Sequence, residues 1–131
     1  MSDLTILEDN FLPVPLNKSE LHSLAMNIVG KDLEKDNFEF ISINSSLEKN
    51  PQFVCTKNKQ LHFILVKAIL YPENPKTYKI SNLSKILDHS KKFEARLLCA
   101  KVGLANSDDY ELPLFKNSSY IVNYDGFEEI N

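Results

Sequence analysis

The sequence predicts an α/β fold, because helical and strand signals separate along it in the order helix, three strands, helix, two strands. Two stretches carry that prediction. Pro51 to Leu70 (PQFVCTKNKQLHFILVKAIL) reads as two strands around a polar turn, and the second strand is apolar on both faces, as a strand in the middle of a sheet must be. Asn17 to Val29 reads as an amphipathic helix opened by a capping signal.

The elements follow in order. Residues 1–15 form an extended lead-in, in which Thr5-Ile6-Leu7 suits either a short strand or packing across the core. Phe11-Leu12-Pro13-Val14-Pro15 is excluded from helix, since each proline drives its predecessor out of the helical region. Asn17 caps the first helix, Glu20 completes a capping box, and Leu16 with Leu21 forms a hydrophobic staple. Leu21, Leu24, Ala25, Ile28 and Val29 make its buried stripe, and Asn37 ends it. Phe38 to Asn44 is a strand with Phe38 and Phe40 on one face and Ile41 and Ile43 on the other. In the hairpin, Gln52–Thr56 and Leu61–Leu70 are strands and Lys57 to Gln60 is the turn.

The cluster Tyr71-Pro72-Glu73-Asn74-Pro75 ends that strand. A second helix starts from Ser81 as cap, with Leu83, Ile86, Leu87 and Phe93 on one face. Ala95–Val102 is a strand that Gly103 terminates, 104–117 is a long acidic loop with Asp108, Asp109 and Glu111, and Tyr120–Tyr124 is the last strand. Asp125-Gly126 turns into a short acidic tail. The whole chain, 1–131, reads as one domain with a central mixed sheet flanked by helices.

Bulk properties narrow the function. No apolar run approaches the ~20 residues that span a bilayer, and the start MSDLTILEDN carries acids where a secretory signal carries basic residues. The expectation is a cytoplasmic protein with no membrane partner. Cys55 and Cys99 read as reduced, buried thiols, too few for a zinc or iron–sulfur site. The net charge is −3, and of 15 basic residues only Arg96 is an arginine, which disfavours nucleic acid as a partner. The three glycines are scattered, so no loop is built to cradle a nucleotide. His62, in an apolar strand, reads as a hydrogen-bonded structural residue, His22 and His89 have no acid or cysteine at ligand spacing, and no metal or other cofactor is expected.

The hairpin's residues bear a further likeness. Pro51-Gln52 heads the first of its strands, Leu65-Val66-Lys67 closes an apolar run in the next, and Glu20 lies early in the first helix. This arrangement resembles the restriction-endonuclease-like core of the PD-(D/E)XK nuclease superfamily, most of all its small Holliday-junction-resolvase-like members. The resemblance covers residues 16–124. It implies an aspartate after the proline and a glutamate two places before the lysine, the two acids that hold Mg²⁺. Here Gln52 and Leu65 stand at those positions, so of the implied site only Lys67 and Glu20 survive.

Each residue has a plainer reading beside that one. Lys67 is equally a strand-end lysine reaching water, and Glu20 a capping-box residue. Glu39 or Glu48 would rebuild a metal site only by migration of an acid. The expectation is therefore a non-catalytic, nuclease-like scaffold acting through protein–protein contact or self-association as a dimer, with a sheet edge or the 71–78 segment as its surface. The acidic loop with Tyr110, Phe115 and Tyr120 is another candidate edge. A metal-dependent nuclease or branched-DNA binder with a rearranged site is the alternative. A cofactor-free accessory subunit of a redox or respiratory complex is the third reading.

Overall fold

The computed structural model describes residues 13–47 and 49–131. The expectations for Thr5–Leu7, for most of the lead-in and for Glu48 fall outside the described residues. Helix α1 spans Lys18–Lys35 and strands β1, β2 and β3 span Glu39–Ile43, Phe53–Lys57 and Gln60–Leu70. Helix α2 is Leu83–Lys92, followed by β4 (Arg96–Asn106), β5 (Tyr120–Asn123) and β6 (Phe127–Ile130). The sheet has six strands in the order β1-β2-β3-β4-β5, with β6 also on β4. β1, β2 and β3 form an antiparallel meander, β4 runs parallel to β3, and β5 and β6 run antiparallel to β4.

The capping box forms as predicted. The Glu20 amide donates to Asn17 Oδ1 at 2.8 Å, and the Asn17 amide donates to Glu20 Oε1 at 3.1 Å. α1 then buries Leu21, Ala25, Met26, Val29 and Leu33. These pack with Phe53, Cys55, Ile64, Val66, Leu98, Ala100, Val102 and Leu104 from one face of the sheet. Each large apolar side chain buried in this way contributes about 1.5–3 kcal/mol. The other face buries Phe63, Leu65, Leu97 and Cys99 under Ile80, Leu83, Ile86 and Leu87. The sheet is thus covered on both sides, which is why β3 and β4 read as almost unbroken apolar runs.

Several boundaries differ from the sequence reading, each for a local reason. The hairpin turn is only Asn58-Lys59, because Lys57 pairs with Gln60. Both turn residues are left-handed, at φ 54° and 65°, the backbone a two-residue hairpin of this kind requires. In β1 the register slips between Phe40 and Ser42; Phe40 packs inward while Ile41 and Ile43 are exposed. α2 is capped at Asn82 rather than Ser81, in left-handed conformation and without a side-chain cap bond. Phe93 follows α2 as its C-cap and stacks near Phe63 and His89 instead of continuing the helical face.

The largest correction lies in β4, which runs through Gly103 to Asn106, so the acidic loop begins later than Leu104. The acidic tail is β6, paired with Leu97 to Ala100 and anchored by Arg96 to Glu129. β5 and β6 lie end to end along one edge of β4, against 103–106 and 97–100 respectively. They form one strand's course interrupted at 124–126. In the interruption the Tyr124 hydroxyl donates to Asp32 Oδ2 of α1 at 2.9 Å.

Inside β4, Gly103 has a packing role. A Cβ there would meet Pro75 Cγ at 2.6 Å and the Asn123 carbonyl oxygen at 3.0 Å. The glycine therefore lets buried Pro75 close over the sheet and β5 approach β4. Gly103→Ala is expected to destabilise the fold by about 1–3 kcal/mol, because it overpacks a site with backbone on one side. Thermal or urea unfolding of the variant checks this.

Candidate functional site

The candidate site is set by a difference in strand length. β2 pairs with β3 only from Lys57↔Gln60 to Phe53↔Ile64, whereas β3 runs on to Leu70. Beyond Ile64 the side of β3 facing β2 has no strand against it among the described residues. A buried backbone donor left there would cost ~1–3 kcal/mol. Gln52 supplies the missing partner: its Oε1 accepts from the Val66 amide at 2.7 Å. Its Nε2 donates to the Lys49 carbonyl at 2.9 Å and to Asn50 Oδ1 at 3.0 Å. Its own backbone receives the Asn44 amide and donates to the Ile64 carbonyl. Gln52 is fully buried, and every polar group it owns is engaged.

Leu65 is also fully buried and belongs to the core beneath α2. Strand alternation puts Lys67 on the same sheet face, two residues on and directly opposite Lys101 of β4. Lys101 sends its Nζ to the Tyr78 carbonyl at 2.7 Å. Lys67 takes part in none of the ion pairs among the described residues.

Lys67 lines a cleft of about 510 Å³ between the open edge of β3, the start of α1 and the 71–78 segment. The helix contributes Lys18, Leu21 and His22; the segment contributes Tyr71, Pro72, Glu73 and Tyr78. Leu47 and Leu70 complete the apolar part. His22 is 4% exposed, and its Nε2 is buried with no hydrogen-bond partner among the described residues. Burial, and then the positive charge of Lys67, hold the His22 imidazole below its ordinary pKa. Its place was available from helical spacing, since positions 18, 22, 25 and 29 share the stripe that faces the sheet. No acid or cysteine stands at ligand spacing from it in sequence, and its neighbour Lys67 appears only in the fold.

The other candidates are not gathered here. Glu20 closes the capping box and pairs with Lys116 at 3.4 Å. The Asn17 amide, and less strongly Lys116, keep its carboxyl below the usual range. It lines a separate groove with Phe115, Ser118 and Tyr120, not the cleft of Lys67. Glu39 is exposed on β1, separated from β3 by β2. Among the described residues no three His, Cys, Asp or Glu side chains cluster as a metal site would require.

His62 is a structural residue, its Nδ1 3.0 Å from the Gln60 carbonyl; a carbonyl only accepts, so that nitrogen carries the proton. Cys55 and Cys99 are free and belong to the cores on opposite faces of the sheet. Burial pushes both thiols up to about 11.

A residue missed in the sequence organises the acidic loop. Asn106 is buried, donates to the Pro113 carbonyl at 2.8 Å and accepts the amides of Asp108 and Asp109. That folds the loop back so that Leu114 enters the core and its carbonyl receives the Leu16 amide at the entry to α1.

Replacing Gln52 by leucine keeps the volume but strands the Val66 donor together with the Lys49 and Asn50 acceptors. Gln52→Leu is expected to cost about 1–3 kcal/mol in urea unfolding. A second outcome concerns pH. His22 and His62 are both held low in the folded chain, chiefly by burial. Their contribution is present above the unfolded-state pKa of about 6.5 and is lost as pH falls below it. The urea midpoint should therefore drop between pH ~7 and ~5, and His22→Leu should flatten part of that slope.

Among the described residues no helix is long and apolar enough to cross a membrane. A search of curated proteins returns no match. A family model described as "Domain of unknown function (DUF8840)" matches residues 19–130, from the first turn of α1 to the end of β6. The match takes in every described strand, both helices and the cleft apart from Lys18, and the chain belongs to the DUF8840 family.

Proposed function

We propose that the chain is a non-catalytic domain on a restriction-endonuclease-like scaffold, working in the cytoplasm through contacts with protein, first of all with a second copy of itself. The architecture supports the scaffold reading: a helix, an antiparallel meander of three strands, a helix, and a fourth strand parallel to the third is the order the resemblance implies. The observation that carries the non-catalytic reading is the occupation of the two acid positions. Gln52 is spent on the Val66 amide, and Leu65 is closed into the core under α2. Two-metal or one-metal phosphodiester cleavage needs carboxylate oxygens at that point, and an engaged carboxamide beside an isobutyl group provides none. The nearest acid of the resemblance, Glu20, is committed to the helix cap on another groove. Two reduced thiols buried on opposite faces of the sheet suit a reducing compartment.

The contact surface we favour is β1. Among the described residues it is the last strand on its side of the sheet, and its outer backbone groups have no strand partner there. Ile41 and Ile43 are 59% and 60% exposed beside them. An edge that combines free backbone hydrogen-bonding groups with apolar side chains is a surface for strand addition. A two-fold axis would let two copies of β1 pair antiparallel and cover both isoleucines.

Two measurements test the reading. Titration with Mn²⁺ should broaden no localised set of amide signals around Gln52, Leu65 and Lys67; saturable broadening there would contradict the loss of the metal site. Sedimentation at rising chain concentration should show a dimer that Ile41→Lys/Ile43→Lys converts to monomer. A wild-type chain that stays monomeric at millimolar concentration would remove self-association.

A further inference from the structure

We propose that the cleft holding Lys67, His22 and Lys18 binds a small organic monoanion, a carboxylate carried on an apolar or aromatic body. This goes beyond the protein-contact reading and rests on a different face of the molecule. Three observations converge on it. Lys67 lines the cleft with no carboxylate paired to it among the described residues, so its charge is free to meet an anion there. His22, nine-tenths buried and lining the same cleft, keeps its Nε2 without a hydrogen-bond partner among the described residues. Buried polar atoms are nearly always satisfied, so an unpaired one at the wall of a cleft points to a ligand.

The third observation is the shape and lining of the space. About 510 Å³ is within the range of small-molecule sites, and Tyr71, Tyr78 and Leu70 present apolar and aromatic surface beside the charges. Charge balance selects the anion. Lys18 and Lys67 face one acid, Glu73, across the cleft, a net positive charge of one, beside the His22 imidazole, whose pKa burial lowers. That matches a single carboxylate. A nucleic-acid backbone would meet Glu73 with successive phosphates, and Lys18 and Lys67 alone do not make the basic track it needs.

The test uses the full chain and 3-phenylpropionate, with 3-phenylpropanamide as the uncharged arm of the same shape. Titration followed by amide NMR should give saturable shifts at Lys18, His22, Lys67 and Tyr78 with a dissociation constant below about 1 mM. The amide should bind at least about tenfold more weakly, and Lys67→Met should weaken the carboxylate by about tenfold or more. Lys18→Met, at an exposed position, gives the same readout if Lys67→Met does not fold. Equal binding of acid and amide, no saturable shift with the carboxylate, or undiminished binding by the folded variants would overturn the assignment. So would displacement of the carboxylate by a single-stranded oligonucleotide that binds more tightly.

Discussion

One strand outlasting its neighbour governs the rest of this molecule. β3 must run its full length to pair with β4 along nine successive positions from His62↔Arg96 to Leu70↔Leu104, the parallel pair that both cores are built upon. β2 leaves it at Ile64, and everything past that point on the open side needs another partner. The chain answers with a side chain in place of a strand. Gln52 turns its carboxamide to the Val66 amide and anchors its own nitrogen on Lys49 and Asn50, so one residue both ends β2 and closes the sheet. The open edge beyond it becomes the wall of a cleft, roofed by the first turns of α1 and the 71–78 segment.

The same constraint decides what chemistry is open to the site. An amide can be donor and acceptor at once, which the position requires, whereas a carboxylate would face the Lys49 carbonyl and Asn50 oxygen with like polarity. Gln52 is thus favoured by structure at the place where the resemblance implies a metal ligand. Leu65 fills the core on the face that α2 covers only partly, since α2 itself buries no residue but Ser90. Both residues serve pairing and packing. What remains polar at the edge is two cations, Lys67 and Lys18, and the His22 imidazole, facing a single glutamate.

Much of the frame was legible in the residues. The capping box at Asn17 and Glu20, the apolar runs of β3 and β4 and the inward Phe38 and Phe40 follow from local chemistry, and the structure places them so. The errors have a common source in partners distant in sequence. Gly103 reads as a strand end, but its lack of a side chain serves contact with Pro75 and Asn123. Glu128 and Glu129 make the C-terminal stretch read as an acidic tail, yet Glu129 meets Arg96, and Phe127 and Ile130 reach the cores on opposite faces. Asn106 looks like any polar loop residue until its three hydrogen bonds are seen. At the site, the identity of Gln52 and Leu65 was visible, but what Gln52 does was not, because the Val66 amide lies 14 residues away.

The central claim is that the Gln52 carboxamide stands in for a missing strand at Val66. Native-state hydrogen exchange of the Val66 amide measures this most directly. The account predicts that this amide is protected as strongly as its neighbours bonded to β4, and that Gln52→Leu removes the protection there while leaving Leu65 and Lys67 nearly unchanged. Rapid exchange at Val66 in the wild-type chain, or protection that survives the substitution, would contradict it.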